Sequence, residues 1–308
     1  MQKLPIFGVS FQAWLVLETR QQLIHTYLKI VMYRISPVVK NLLIINVLLF
    51  IVTYLFGQYV DSASIFWLTN PVVRYLALFY PGSDYFQPYQ FVTHMFMHGG
   101  FAHILFNMYA LWMFGTAIEQ AWGGKRFLFY YLFTGLGAAA LHTLVNHFIY
   151  SGMAADIQAF SNTPSPELFK QFIDAHRDGF RQEFVNGLMD VYQGLSLNPN
   201  DQGYIASAMK GMQYIMSAMQ DIPTVGASGA IFGLLLAFGM MYPNAQLMLL
   251  IPPIPIKAKW MVIGYGAIEL VLGISQPGSS IAHFAHLGGM LFGFILIRYW
   301  IVQARRRR

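Results

Sequence analysis

From Asn41 to Gln58 the chain carries no charged residue, and it packs Leu42, Leu43, Ile44, Ile45, Val47, Leu48, Leu49, Phe50 and Ile51 into one run. An apolar run of that length is close to the ~20 residues a helix needs to cross a bilayer. Five more stretches read the same way, giving six at roughly 41–58, 102–121, 126–150, 226–242, 259–275 and 281–301. Only 10% of the 308 residues are charged and 56% are hydrophobic, whereas a soluble domain carries about 25% charge. A chain so poor in charge cannot cover a water-facing surface. The expected fold class is therefore an all-α polytopic membrane protein with six transmembrane helices. The same composition argues against disorder. With no cysteine, a disulfide scaffold and thiol or cysteine–metal chemistry are excluded as well.

The basic residues give these spans a direction. Of 19 Lys and Arg, 14 fall on one side of an alternating six-span arrangement, including Lys125, Arg126, Lys257, Lys259 and the run Arg305 to Arg308. The other side has Arg74, Lys170, Arg177, Arg181 and Lys210. Cytoplasmic loops concentrate Lys and Arg, so both termini are expected in the cytoplasm. A juxtamembrane basic tail serves topology and anionic lipid, so no nucleic-acid partner is expected. The first 30 residues lack the apolar core and small-residue cleavage site of a signal peptide. Phe11, Trp14, Leu15, Leu23, Tyr27 and Leu28 suit an interfacial helix instead. Met1 and Met32 both stand open as the natural start.

Residues 151–222 differ in composition from the rest, holding 8 of the 13 acidic residues. Ser165-Pro166-Glu167 reads as an N-cap, a first-turn proline and an acid favoured by the helix dipole. Leu168, Phe169, Phe172, Ile173, Phe180, Phe184, Leu188 and Met189 then recur at helical spacing, and Ile205, Met209, Met212, Met216 and Met219 repeat the pattern. Two amphipathic helices outside the membrane are expected. Packing support and substrate gating are both open as their role.

Polar groups inside a bilayer are costly and mark functional sites. Seven of nine histidines lie in or beside spans: His94, His98, His103, His142, His147, His283 and His286. Gly226-Ala227-Ser228-Gly229 opens the fourth span, where unpaired backbone N–H groups surround a sterically open hydroxyl. In span six, His286, Gly289 and Gly293 share one helix face. Gly229 and Gly233 repeat the small-residue spacing in span four, and small residues let membrane helices approach closely. Two glycine faces pressed together would bring His286 within reach of Ser228, as a base activating a nucleophile. His283 lies one turn away, but the glycine register favours His286. In span two, His103 and Asn107 share a face and can both donate to an oxyanion. His94 and His98 lie just upstream.

Three ordered segments carry a family resemblance. Thr93 to His98 followed by His103-Ile104-Leu105-Phe106-Asn107, then Gly226-Ala227-Ser228-Gly229, then Ala285-His286-x-x-Gly289-x-x-x-Gly293, resemble the signatures of the rhomboid intramembrane serine proteases. The resemblance covers about 36–301 apart from 151–222. It implies a six-helix bundle that hydrolyses peptide bonds in or near the transmembrane segments of other proteins, without cofactor or metal. It implies Ser228 as nucleophile and His286 as base and acid, a dyad without an aspartate. The oxyanion hole would use His103, Asn107 and the Ser228 backbone N–H, with His98 as a further polar group of the cavity. Phe232 falls where the family sets an aromatic against the catalytic ring, and Gly115 with Glu119 matches a structural pair. The family commonly has Trp-Arg where this chain has Tyr89-Gln90, which leaves the first external loop open.

The expected organisation is then an N-terminal cytoplasmic or interfacial extension (1–35), a first half of the rhomboid core (36–150), an external helical insertion (151–222), a second half (223–301) and a basic cytoplasmic tail (302–308). The expected setting is a bacterial inner membrane with the site opening to the external face. Expected partners are transmembrane protein substrates and the lipid bilayer, with the oligomeric state open. A catalytically silent, protein-binding relative is the alternative. A transporter would predict internal repeats, and none is found. A histidine-bound metal enzyme is disfavoured because there is no His-Glu-x-x-His.

Overall fold

The protein is seen in a computed structural model that describes residues 35–57, 70–248, 254–275 and 282–307. The expected interfacial helix and both candidate start residues lie outside the described residues. Five described helices are long and apolar enough to span a membrane: α1 (Pro37–Gly57), α4 (Phe101–Trp122), α5 (Gly124–Asn162), α10 (Ala258–Ser275) and α11 (His283–Arg306). The chain is an all-α polytopic membrane protein. The helix expected as the fourth span, α9 (Ser228–Met241), has 14 residues, or about 21 Å at 1.5 Å per residue. Short helices α2 (Pro71–Leu76) and α3 (Gln90–Thr93) lie between α1 and α4. One small antiparallel pair, β1 (Gln246–Met248) with β2 (Pro255–Lys257), precedes α10.

The outward faces of the long helices show what solvent they are built for. Ile44, Leu48, Leu55, Phe101, Ile263, Val271 and Ile274 are all exposed, which only a hydrocarbon surrounding tolerates in such number. Inside, α11 packs chiefly on α5 and α9. Phe127, Tyr130, Tyr131, Leu111, Ile118 and Leu234 fill the common core.

Glu119 shows why the first helix sits where it does. Its Oε2 accepts from Ser36 Oγ (2.5 Å) and Val39 N (2.8 Å), and its Oε1 accepts from Val38 N (3.0 Å). A carboxylate from α4 thus satisfies the orphan donors at the N-terminus of α1, where the helix dipole also favours negative charge. Gly115, one turn earlier, lies against Val39: a Cβ there would approach Val39 Cγ2 to 2.9 Å. A π turn at Leu111–Gly115 precedes this contact.

The helix that carries the third span runs on past 150: α5 has 39 residues and ends at Asn162. That is about 58 Å, nearly twice the ~30 Å hydrocarbon thickness. Apolarity fades near Tyr150, but nothing breaks the helix until Thr163-Pro164, where proline disfavours helical backbone before it. Beyond lie three helices rather than two: α6 (Pro166–His176), α7 (Gln182–Leu197) and α8 (Gln202–Gln220). The break between α6 and α7 comes at Gly179, whose φ of +91° is left-handed. Ser165 caps α6 by accepting from Leu168 N (3.1 Å), and Asp201 caps α8 by accepting from Gly203 N (2.7 Å). Phe160, Phe169, Phe172, Ile173, Leu195 and Met212 form a separate core with the end of α5.

Candidate active site

The segment from Leu78 to Gly100 is pinned over the start of α9 by backbone pairing. Leu78 N donates to Thr224 O (3.0 Å), Thr224 N returns the bond to Leu78 O (2.8 Å), and Gly226 N donates to His94 O (2.9 Å). Gln90 is fully buried. Its Oε1 accepts from Phe79 N (3.3 Å) and Gln87 N (3.0 Å), while its Nε2 donates to Tyr75 O (3.3 Å) and Tyr85 O (3.0 Å). One neutral amide therefore satisfies four backbone groups and holds this loop together. His94 Nδ1 bonds Gln90 O (2.8 Å), and burial lowers its pKa to about 4, so it stays neutral.

Ser228 is the first residue of α9, and the intrahelical ladder begins only at Ile231 N, which bonds Ala227 O (3.0 Å). The N–H of Ser228 is therefore among the unpaired donors of a helix start. Ser228 Oγ lies 2.8 Å from His286 Nε2. The Phe232 ring stacks on the imidazole with centroids 4.2 Å apart and planes 3° from parallel. A small cavity lined by His94, Thr224, Gly226, Gly229, Ala282 and Ala285 reaches the serine.

Glycine makes this meeting of α9 and α11 possible, though through one pair rather than two. A Cβ on Gly289 would overlap the Gly229 carbonyl. Gly233 and Gly293, expected to extend the same contact, do not meet. Tyr130 of α5 reaches between them, donating its hydroxyl to Gly233 O (2.8 Å) and filling the space a Cβ on Gly293 would need. Gly226 has a φ of +132°, and a Cβ there would lie 2.9 Å from His103 Nε2 and 3.5 Å from Ser228 Oγ. The turn before the serine thus both requires glycine and brings His103 beside the hydroxyl.

His103 Nδ1 accepts from Gly99 N (3.3 Å), which leaves its proton on Nε2, the atom facing Gly226. Asn107 is buried, and its Nδ2 has no partner among the described residues. A buried donor left unpaired is costly, and sites keep such groups ready for a ligand. His98 is also buried with both ring nitrogens unpartnered among the described residues, its ring 5.1 Å from that of His103. His142 meets Thr224 Oγ1 (3.1 Å) at the rim of the cavity, whereas His147 is engaged away from it with the Tyr80 hydroxyl (3.0 Å).

One residue at the site was not anticipated from the sequence. Glu269 of α10 places Oε2 2.7 Å from His283 Nδ1 and Oε1 3.0 Å from His286 Nδ1. The second contact is close but off the line of a well-aligned hydrogen bond. The imidazole, expected to be oriented by packing against Phe232, also has a glutamate beside its ring. The signal was available: Glu269 is a lone carboxylate deep in an apolar span, a functional flag by default. Glu269, His283 and His286 also set one donor atom each within 4.8 Å of one another, a spacing that could hold a metal ion.

The sequence model of the Rhomboid domain matches residues 85–160 and 203–303. The chain belongs to the rhomboid family. Among rhomboid relatives, it is 34% identical over 90 residues to Rhomboid protein 1, mitochondrial, of Saccharomyces cerevisiae, covering 28% of this chain and 25% of that one. It is 30% identical over 95 residues to Rhomboid protease GlpG of Salmonella choleraesuis, covering 31% and 30%. It is 44% identical over 48 residues to Rhomboid protease GluP of Bacillus subtilis, covering 16% and 10%. The chain thus spans at most 30% of the length of these rhomboid relatives.

Proposed function

We propose that this rhomboid is an intramembrane serine endopeptidase, hydrolysing peptide bonds in or near transmembrane segments of other membrane proteins. The observation that carries the reading is the 2.8 Å approach of His286 Nε2 to Ser228 Oγ, with Phe232 stacked on the imidazole. His286 takes the hydroxyl proton as Ser228 Oγ attacks the scissile carbonyl carbon. The oxyanion that forms is held by Asn107 Nδ2, His103 Nε2 and the Ser228 N–H. His286 then passes its proton to the departing amine, leaving an acyl-enzyme. Water, activated by the same imidazole, releases the acid. His98, buried beside His103, is a further polar group near the oxyanion donors.

The shortness of α9 supports this reading. As the fourth of six spans, and only about 21 Å long, it would begin well inside a ~30 Å hydrocarbon layer. Its N-terminus, with Ser228, then lies below the membrane surface, and the segment from Leu78 to Gly100 fills the space above. A helical substrate hides its carbonyls in its own hydrogen bonds, so cleavage favours sites where the helix unwinds easily. The charge bias supports a topology with both termini in the cytoplasm and the site opening to the opposite face.

The test is cleavage of a model membrane substrate by purified protein, together with labelling by a fluorophosphonate probe. Ser228→Ala should abolish both while preserving the thermal midpoint. Cleavage retained by the alanine variant would sink the assignment.

A further inference from the structure

Glu269 is an expensive residue to keep. It is buried, its helix is otherwise apolar from Trp260 to Ser275, and a carboxylate in such a place needs compensating partners. Each of its oxygens lies within 3.0 Å of an imidazole nitrogen, and one of these rings is His286. The contacts run in a line: Ser228 Oγ to His286 Nε2 (2.8 Å), His286 Nδ1 to Glu269 Oε1 (3.0 Å), and Glu269 Oε2 to His283 Nδ1 (2.7 Å). Gly273, one turn beyond Glu269, allows this approach of α10 to α11. A Cβ there would lie 3.2 Å from the Phe284 ring and 3.3 Å from His283 Cβ.

We propose that Glu269 is a positioning residue for His286, completing a Ser228–His286–Glu269 triad in which His283 anchors the carboxylate. This rests on the protease reading above. Nε2 of His286 can accept the serine proton only if the ring's other proton sits on Nδ1. A carboxylate at Nδ1 selects that tautomer. When the proton moves from Ser228 Oγ to Nε2, the imidazolium gains a negative neighbour where little water screens it. Glu269 stays ionised throughout, and the proton returns from Nε2 to the leaving amine, so the balance closes within the site. Phe232 holds the plane of the ring, but a stacked phenyl cannot choose between the two nitrogens. His283 spends its Nδ1 proton on the far oxygen of Glu269 and keeps the carboxylate from turning away.

The experiment uses full-length protein in proteoliposomes with a model transmembrane substrate, comparing wild type, S228A, E269Q and E269D. E269Q should keep its thermal midpoint and a KM within about threefold, while kcat falls roughly 10²- to 10⁴-fold. E269D, with the charge retained but drawn back by one methylene, should fall between E269Q and wild type. That split separates positioning from a structural role, which would move the thermal midpoint and not follow the charge. If E269Q does not fold, E269D decides: an intermediate kcat at unchanged KM supports the triad. Wild-type kcat in every folded Glu269 variant, with S228A inactive, overturns the role of Glu269 and leaves the protease reading standing. A wild-type protein that neither cleaves nor takes the fluorophosphonate probe overturns the protease reading, and the triad with it.

Discussion

The crossing of α9 and α11 at Gly229 and Gly289 can be tested by adding a single methyl group. In Gly289→Ala the new Cβ would fall on the Gly229 carbonyl, which is backbone and cannot rotate away. The two helices must separate by roughly 1 Å to restore a normal contact, and overpacking of this kind costs roughly 1–3 kcal/mol. His286 sits one turn before Gly289, and Ser228 is the residue before Gly229. The separation therefore acts directly on their 2.8 Å contact and stretches it to about 4 Å, beyond hydrogen-bond range. Misplacement on that scale costs a reaction roughly 10²-fold.

The assay pairs the thermal midpoint in detergent with the rate of cleavage and of fluorophosphonate labelling. Gly289→Ala should lower the midpoint modestly and slow both reactions about 100-fold. Gly264→Ala is the control, because a Cβ there meets nothing within 4 Å. It should leave both readouts unchanged. Wild-type labelling in a folded Gly289→Ala protein would refute the argument that this glycine pair sets the distance between serine and histidine.

Asn107→Ala should reduce kcat roughly 10²- to 10³-fold with little change in KM, the pattern of a donor used only in the transition state; a rise in KM alone would point to ground-state binding. Glu119→Ala leaves the Ser36 hydroxyl and the Val38 and Val39 N–H groups without their acceptor, and should cost about 3 kcal/mol at about 1 kcal/mol per bond. Below its lowered melting point, cleavage should persist, since the damage lies at α1. His94 falls from the usual 6.5 to about 4 through burial, so between those values the unfolded chain binds a proton that the folded one refuses. Stability should therefore decline as pH falls through that window, by about 2 kcal/mol at pH 5 for this residue. A pH 7 to pH 5 loss that is no smaller in His94→Asn would rule this source out.

What the sequence disclosed, and what it did not, follows from the physical signals involved. Ser228, His286, His103 and Asn107 were visible because polar groups are rare in these spans, and the glycines beside Ser228 and His286 indicated where two helices could meet. The ends of the helices were harder to place. Hydropathy marks where lipid stops, whereas Asn162 ends α5 because Thr163-Pro164 cannot continue a helix, a dozen residues beyond the apolar run. Gly179 was passed over inside an apolar periodicity that continued across it, which merged α6 and α7 into one expected helix.

Glu269 and Tyr130 were missed for a different reason. Each acts across helices, at a height fixed by the relative stagger of α5, α9, α10 and α11, which no single-helix periodicity contains. Glu269 meets histidines 14 and 17 residues further along the chain, on the next helix. Tyr130 inserts between Gly233 and Gly293, which by spacing alone should have touched. At the site end the backbones of α9 and α11 meet at Gly229 and Gly289, while further in the Tyr130 hydroxyl holds the Gly233 carbonyl and occupies the face of Gly293. The pairing of these two helices is therefore set by a backbone contact at the turn that carries Ser228 and His286, and by a side chain of a third helix beyond it.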